Sequence, residues 1–398
     1  MIIKPKVRGF ICTTAHPAGC AQAIAEDIEY VKNQGPVKGP KKVLVIGAST
    51  GYGLASRIVT AFASGAATIG VSFEKEAEGK RTATAGWYNT VAFENAAHKE
   101  GLYAKSINGD AFSDEVKTKV VELIKKDLGS VDCLIYSLAS PRRQHPKTGQ
   151  ISKSVLRPVG APYTNKSMDM STHQLEQVTL PSATEEEVNQ TVSVMGGEDW
   201  QMWVEALESA GLLAPGFITV AYSYIGPEVT RPVYRNGTIG KAKDHLEPTA
   251  KKLDEHFKKI KGRALISVNK ALVTQSSSAI PFIPLYFIIL KKVMKEKNLE
   301  ENCIQQIYRL FAKRLFTQGP TPVDQEGYVR MDDREMREDV QREVEKRWEI
   351  ISNDNLNMIA DLKGYEEDFL RLFGFGANGV DYNADVEINL PIPSNHHS

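Results

Sequence analysis

Tyr234 and Lys243 are the residues whose types and spacing speak most directly of chemistry. A tyrosine hydroxyl can give a proton to a developing negative charge. A nearby ammonium favours the tyrosinate left behind and so makes the tyrosine a better acid. The segment reads Tyr-Arg-Asn-Gly-Thr-Ile-Gly-Lys-Ala-Lys. On a regular helix, nine steps of roughly 100° put the pair about 180° apart. They converge only if Tyr234 lies ahead of the helix. Asn236 and Gly237 form a turn signal there, and Gly240 discourages an early helix start. Lys241 would share a face with Tyr234 even in a continuous helix, so geometry alone leaves both lysines open. For any single one of the 14 tyrosines, packing is the default role.

A second constellation is Gly-Ala-Ser-Thr-Gly-Tyr-Gly at 47–53, directly after an apolar run and before a helical stretch. Gly47 permits a tight turn, and Gly51 and Gly53 let the backbone approach a pyrophosphate. The helix start offers free N–H groups and a partial positive charge to phosphates. Ala48, Ser49, Thr50 and Tyr52 complete this candidate cofactor loop. A glycine pattern alone is weak, and the alternative is an ordinary strand-to-helix turn; the strand–loop–helix setting favours the dinucleotide. The missing Gly-Lys-Ser/Thr ending disfavours ATP. The next strand ends at Phe73 and Glu74, where dinucleotide folds place an acid for the adenosine ribose. A carboxylate there accepts from a 2′-hydroxyl and repels a 2′-phosphate, so Glu74 points to NADH. Lys75, Lys80 and Arg81 compete, as a basic run that could screen a phosphate or simply line a solvated loop. Asp110 and Ala111 follow the third strand, placed to meet adenine. The fourth ends in Ser137, Leu138, Ala139 and Ser140, beside the nicotinamide ribose.

The elements that must position these residues are legible from periodicity. Strands are expected at 43–47, 67–73, 103–109, 131–139, 216–226 and 263–269. Helices are expected at 52–64, 85–100 and 114–127. This alternation implies an α/β, doubly wound, Rossmann-type parallel sheet with right-handed crossovers. Residues 1–14 read as a short hairpin or edge, 20–33 as a helix, and 35–42 as a Gly/Pro/Lys connector. Residues 141–197 are polar, rich in Pro, Thr, Ser and Gly, and without a period. They read as a surface excursion with small strands. A helix bearing Trp200 and Trp203 resumes at 198–211. After the sixth strand come the apolar run at 279–290 and amphipathic helices at 300–317, 332–352 and 354–373. No internal repeat is present. The expected organisation is one α/β domain over 1–398. Residues 1–40 form its N-terminal hairpin and helix, and 41–140 with 214–278 the dinucleotide-binding core. Residues 141–213 are an inserted excursion, and 279–398 an apolar segment with a C-terminal helical cap.

The 398 residues are 42% hydrophobic and 25% charged, which is ordinary globular composition. Lys plus Arg and Asp plus Glu both count 49, so no global field attracts nucleic acid or an anionic membrane. Neither is an expected partner. Cys12, Cys20, Cys133 and Cys303 are sparse and lack a CxxC pair, which suits free thiols in a reducing compartment. Cys12, His16 and Cys20 could ligate a metal, but the spacing fits no common pattern and a fourth ligand is missing. No metal is expected. The N-terminus lacks the apolar core and cleavage site of a signal peptide. The run at 279–290 is too short to span a bilayer and carries two prolines. A cytoplasmic location is expected.

Several motifs together resemble one family. They are GASTGYG at 47–53, NGDAFSDE at 108–115, YSLASP at 136–141 and VMGGEDWQMW at 194–203. Tyr-x8-Lys at 234–243 and LVTQSSSAIPFIPLY at 272–286 complete the set. They look like the FabV-type trans-2-enoyl-ACP/CoA reductases of the short-chain dehydrogenase/reductase superfamily, and the similarity runs nearly end to end. It is least distinct over 141–197. The resemblance selects Lys243 over Lys241. It implies that Tyr234 is the proton donor, that Lys243 binds the cofactor and that Tyr224 contacts a thioester. It places Leu272, Val273 and Thr274 along NADH. It further implies an enoyl-ACP or enoyl-CoA substrate and a monomer. The rivals are a carbonyl reductase on the same fold and a non-catalytic NADH-binding regulator. In the run at 279–290, Ser276, Ser277 and Ser278 lead from a polar loop into apolar residues. Pro281 and Pro284 suit a helix start beside a pocket. With Ile280 in it, this run reads as an acyl-chain surface, or equally as plain core.

Overall fold

The computed structural model describes residues 1–9, 11–274, 277, 280 and 282–394. The chain opens with a hairpin of β1 (Val7–Arg8) and β2 (Ile11–Cys12). Helix α1 (Pro17–Gln34) begins earlier than periodicity suggests. His16 caps it, with Nδ1 accepting from the Gly19 N–H at 3.1 Å, and Pro17 suits a first turn that needs no N–H. Then come β3 (Lys42–Ile46), α2 (Gly51–Ser64), β4 (Ala67–Ser72), α3 (Ala85–Lys99), β5 (Ala104–Asn108), α4 (Asp114–Asp127) and β6 (Val131–Tyr136). Each lies within a few residues of expectation, because continuous apolar strands and amphipathic helices are local signals.

The excursion contains more structure than its composition suggests. It holds two antiparallel hairpins, β7 (Arg142–Gln144) with β8 (Ile151–Lys153), and β9 (Tyr163–Asp169) with β10 (Gln174–Leu180). Helix α5 (Glu185–Met195), absent from the sequence reading, follows. A reciprocal capping box between Thr184 and Glu187 starts it, a signal that composition hides. Then come α6 (Glu198–Ser209), β11 (Leu213–Ser223), α7 (Thr238–Phe257), β12 (Arg263–Val268), α8 (Ile283–Glu296) and α9 (Cys303–Leu310). A π-helical turn at Phe311–Leu315 leads on to β13 (Tyr328–Arg330), α10 (Glu338–Ile350), α11 (Leu356–Ile359) and α12 (Leu362–Arg371).

Seven strands form one sheet in the order β13-β12-β11-β6-β3-β4-β5. All its pairings are parallel. Strand order reverses between β3 and β6, and ligands bind doubly wound sheets in the crevice at such a switch point. Alternate residues of β3 face opposite ways. Val43 and Val45 join the core shared with α1, α2, α3 and α9. Leu44 and Ile46 join the core under α4, α6 and α7. A third apolar cluster, built on α8, α10 and α12, stands outside the sheet. Strand β13 pairs β12 at only three positions, Tyr328, Val329 and Arg330. Sequence reading placed this segment between cap helices.

Candidate active site

Both constellations lie at the carboxyl ends of the central strands. In the glycine loop, Gly47 has φ +81°, a left-handed conformation that costs glycine little. A Cβ on Gly53 would stand 1.9 Å from the Gly47 carbonyl oxygen, so only glycine lets α2 begin this close to β3. Thr50 precedes α2 without a side-chain cap, and the first turn carries no acid. The cap residue and the first turn therefore offer the first N–H groups of α2 no side-chain acceptor, as an anion cradle requires. The loop is braced from three sides. Asn89 Nδ2 donates to the Ser49 carbonyl at 3.1 Å, Tyr52 Oη donates to the Lys270 carbonyl at 2.5 Å, and the Ser137 N–H donates to the Ile46 carbonyl at 2.9 Å.

Glu74 stands just past β4 and leans over this loop. Ser49 Oγ donates to its Oε1 at 2.6 Å and Thr84 Oγ1 to its Oε2 at 2.5 Å. Its backbone is clamped by Asn108, whose Oδ1 takes the Glu74 N–H at 2.7 Å. A carboxylate has about four acceptor positions, so ribose hydroxyls can still be received. Phe73 beside it is 77% exposed. Lys75, Lys80 and Arg81 are all exposed. Asp110 and Ala111 follow β5, with Asp110 Oδ1 taking the Phe112 N–H at 3.0 Å. Leu138 and Ala139 follow β6, and Leu272, Val273 and Thr274 follow β12; Ala139 is exposed and the other four are half-buried. Among the described residues no three His, Cys, Asp or Glu side chains gather as a metal site. His16 serves as a helix cap instead, and Cys12 Sγ donates to the Thr14 carbonyl.

Tyr234 lies ahead of α7, in a turn. Its N–H donates to the Thr230 carbonyl at 3.0 Å, and its carbonyl accepts from Gly237 at 3.2 Å and Gly240 at 3.0 Å. A Cβ on Gly240 would meet the Arg235 carbonyl oxygen at 1.8 Å, so glycine allows the turn to fold back on the helix start. The excursion staples that start. Pro158 bridges Gly237, and the Thr238 N–H donates to the Arg157 carbonyl at 3.0 Å. The two lysines part company. Lys241 is exposed and pairs with Asp244 at 3.3 Å. Lys243 is half-buried and makes no hydrogen bond or ion pair with any described residue. Burial lowers its ammonium to about 8. The Tyr234 ring meets the Tyr224 ring edge-on, with centroids 4.8 Å apart at 84°. Burial, then the charge of Glu335, raises the Tyr234 hydroxyl pKa.

Tyr224, Tyr234 and Val273 border the third apolar cluster, to which Ile280 and α8 belong. Pro284 stands in the first turn of α8. Ser276, Ser278, Ala279 and Pro281, also drawn into the acyl-surface reading, lie outside the described residues, as does Gln275 of the 272–286 motif. One residue escaped sequence reading altogether. Glu335, 0% exposed, receives the hydroxyls of Tyr224 at 2.8 Å and Tyr286 at 2.6 Å. No motif marks it, since its partners lie far off in sequence.

Profiles of one family cover the chain. "NAD(P)H binding domain of trans-2-enoyl-CoA reductase" matches residues 2–79, and "Trans-2-enoyl-CoA reductase catalytic region" matches 81–316. The chain belongs to the trans-2-enoyl-CoA reductase family. An enoyl-[acyl-carrier-protein] reductase [NADH] of Coxiella burnetii is 58% identical, over 99% of this chain and 98% of that one. A trans-2-enoyl-CoA reductase [NADH] of Ruminiclostridium cellulolyticum is 57% identical, over 98% and 99%. The crystal structure of the Treponema denticola trans-2-enoyl-CoA reductase in complex with NAD superposes with TM-score 0.94 at 50% identity. It covers 98% of this chain and 99% of that one. A third profile, "Enoyl reductase FAD binding domain", matches 323–386. The residues there do not fit a flavin dinucleotide. Strand β13 runs into Met-Asp-Asp rather than a glycine turn. The first turn of α10 carries Glu338 and Asp339, which repel phosphate. Buried Asp332 and Glu335 are taken up by protein partners.

Proposed function

We propose that this chain reduces the carbon–carbon double bond of trans-2-enoyl thioesters, carried on acyl carrier protein or coenzyme A, with NADH as reductant. This is the reductive step of fatty-acid elongation. The observation that carries the reading is the edge-on pair of Tyr224 and Tyr234, set between a dinucleotide cradle and an apolar cluster. The cradle is residues 47–53, whose close approach tolerates no Cβ at Gly53. Glu74 selects the 2′-hydroxyl of NADH, Phe73, Asp110 and Ala111 flank the adenosine, and Leu138, Ala139, Leu272, Val273 and Thr274 flank the nicotinamide.

Bound NADH supplies the hydride that adds to the β-carbon of the substrate. Tyr234 meets the negative charge that grows on the thioester oxygen, and a donor aimed at such charge lowers the barrier. Lys243 holds the ribose hydroxyls and, as a cation, stabilises tyrosinate at Tyr234. The ring of Tyr224 lies against the thioester, and the cluster around Ile280 and α8 receives the acyl chain. Among the described residues no helix is long and apolar enough to cross a membrane. The enzyme works in the cytoplasm as a monomer, one α/β unit with the excursion and cap described above.

The test is steady-state turnover of crotonyl-CoA against acetoacetyl-CoA, with NADH against NADPH. NADH-preferring reduction of crotonyl-CoA is expected. Turnover of acetoacetyl-CoA alone would make the chain a carbonyl reductase. NADH binding without oxidation would make it a binding protein.

A further inference from the structure

The carboxylate of Glu335 draws together the three segments that meet at the site. Its Oε1 takes the hydroxyls of Tyr224, just past β11, and Tyr286, on α8. Its Oε2 takes the Ala271 N–H at 2.6 Å, one residue ahead of the Leu272, Val273 and Thr274 stretch. Gln341 Nε2 closes the arrangement from α10, donating to the Glu335 carbonyl at 2.7 Å and reaching Tyr286 Oη at 3.3 Å. Three donors converge on the two carboxyl oxygens, which suits an acceptor-only carboxylate. Burial pushes Glu335 toward its neutral form. Buried Lys270 and the three hydrogen bonds oppose that.

This arrangement bears on the tyrosine pair. A tyrosine has one O–H proton, and that of Tyr224 is directed at Glu335. Toward the rest of the site Tyr224 presents lone pairs. The Tyr234 hydroxyl makes no hydrogen bond with any described residue. We propose that Glu335 is the positioning residue that divides labour between the two tyrosines, fixing Tyr224 as an acceptor and leaving Tyr234 the sole proton donor. The proposal rests on the enoyl-reductase reading. Glu335 touches neither substrate nor cofactor in it and acts through Tyr224.

The test compares Glu335→Gln, Glu335→Asp, Tyr224→Phe and the double variant Glu335→Gln/Tyr224→Phe on crotonyl-CoA and NADH. Glutamine keeps the shape but cannot accept from all three donors. Its kcat should fall about 10–100-fold, the cost of a small misplacement at the reacting centre, with NADH affinity unchanged. Aspartate should recover part of the loss. The double variant should be no worse than the worse single one, because the two residues act as one unit. Losses that multiply in the double variant, wild-type kcat in Glu335→Gln, or a Glu335→Gln protein that does not fold would each overturn the proposal. The last would mark a carboxylate that serves the core. A wild-type protein that fails to reduce crotonyl-CoA rejects the enoyl-reductase reading instead.

Discussion

The glycine loop and the tyrosine turn differ in how their polar atoms are satisfied. Around 47–53 the protein supplies partners for the side chains and carbonyls that shape the loop, leaving only the helix-start N–H groups open: Ser49 and Thr84 hold Glu74, Asn89 holds the Ser49 carbonyl, and Tyr52 holds the Lys270 carbonyl. Across the crevice, the half-buried side chains of Tyr234 and Lys243 make no hydrogen bond with any described residue. The contrast teaches where the chain is a finished scaffold and where polar side chains are left for a ligand to pair.

The comparison breaks most visibly at Tyr234. Tyr234→Phe should bind NADH normally yet lose on the order of 10²–10⁴ in kcat, the usual worth of a general acid. Unchanged turnover would show that the tyrosine is only packing. Next in size is the lysine pair. Lys243→Ala should weaken NADH binding and lower kcat together, by about tenfold or more for a charged hydrogen bond. Lys241→Ala should do little, since Lys241 is a solvated surface partner of Asp244. Fluorescence titration of both variants decides between them. The sign of the pH effect follows from burial. With its ammonium lowered to about 8, Lys243 loses its charge as pH rises through that value. In the free enzyme kcat/KM should therefore fall on the alkaline side, while NADH, favouring the cation, should move that limb upward. A flat profile between pH 7 and about 9 would remove Lys243 from the mechanism.

On the finished side of the comparison, effects should be smaller. Glu74→Ala removes the repulsion of a 2′-phosphate and should narrow the ratio of kcat/KM for NADH over NADPH severalfold. A wild-type preference for NADPH would reverse the assignment of Glu74. The smallest effect is expected where the tyrosines meet apolar surface. Each buried methylene is worth about 0.8 kcal/mol, so Ile280→Phe should penalise a twelve-carbon enoyl substrate more than crotonyl, at unchanged NADH affinity. Ile280 is buried within the α8 cluster. Equal losses for both chain lengths would assign it to the core.

Much of this architecture is legible in the residues alone. Periodicity yields the alternation of β3 to β6 with α2, α3 and α4, because those elements are set by which residues must be buried next to one another in sequence. The cradle is legible because a backbone approach that excludes Cβ leaves glycine as its mark. The irregularity at Asn236, Gly237 and Gly240 tells that Tyr234 precedes a helix, though the preference for Lys243 over Lys241 came from family resemblance. In space it is burial that separates the two lysines, which spacing does not report.

What only the tertiary structure decides are pairings across long stretches of chain. Strand β13 is three residues long, too short to carry a period, and becomes a strand because β12 offers it an open edge. The excursion has no period of its own, yet its residues at 155–158 tie down the start of α7 through Thr238 and Gly237. Glu335 reaches Tyr224 across 111 residues and Tyr286 across 49. A buried carboxylate is stable only where donors from elsewhere arrive to meet it. Local sequence fixes backbone preference and the face to be buried. Which distant polar groups then find each other is settled by the packing of the whole chain.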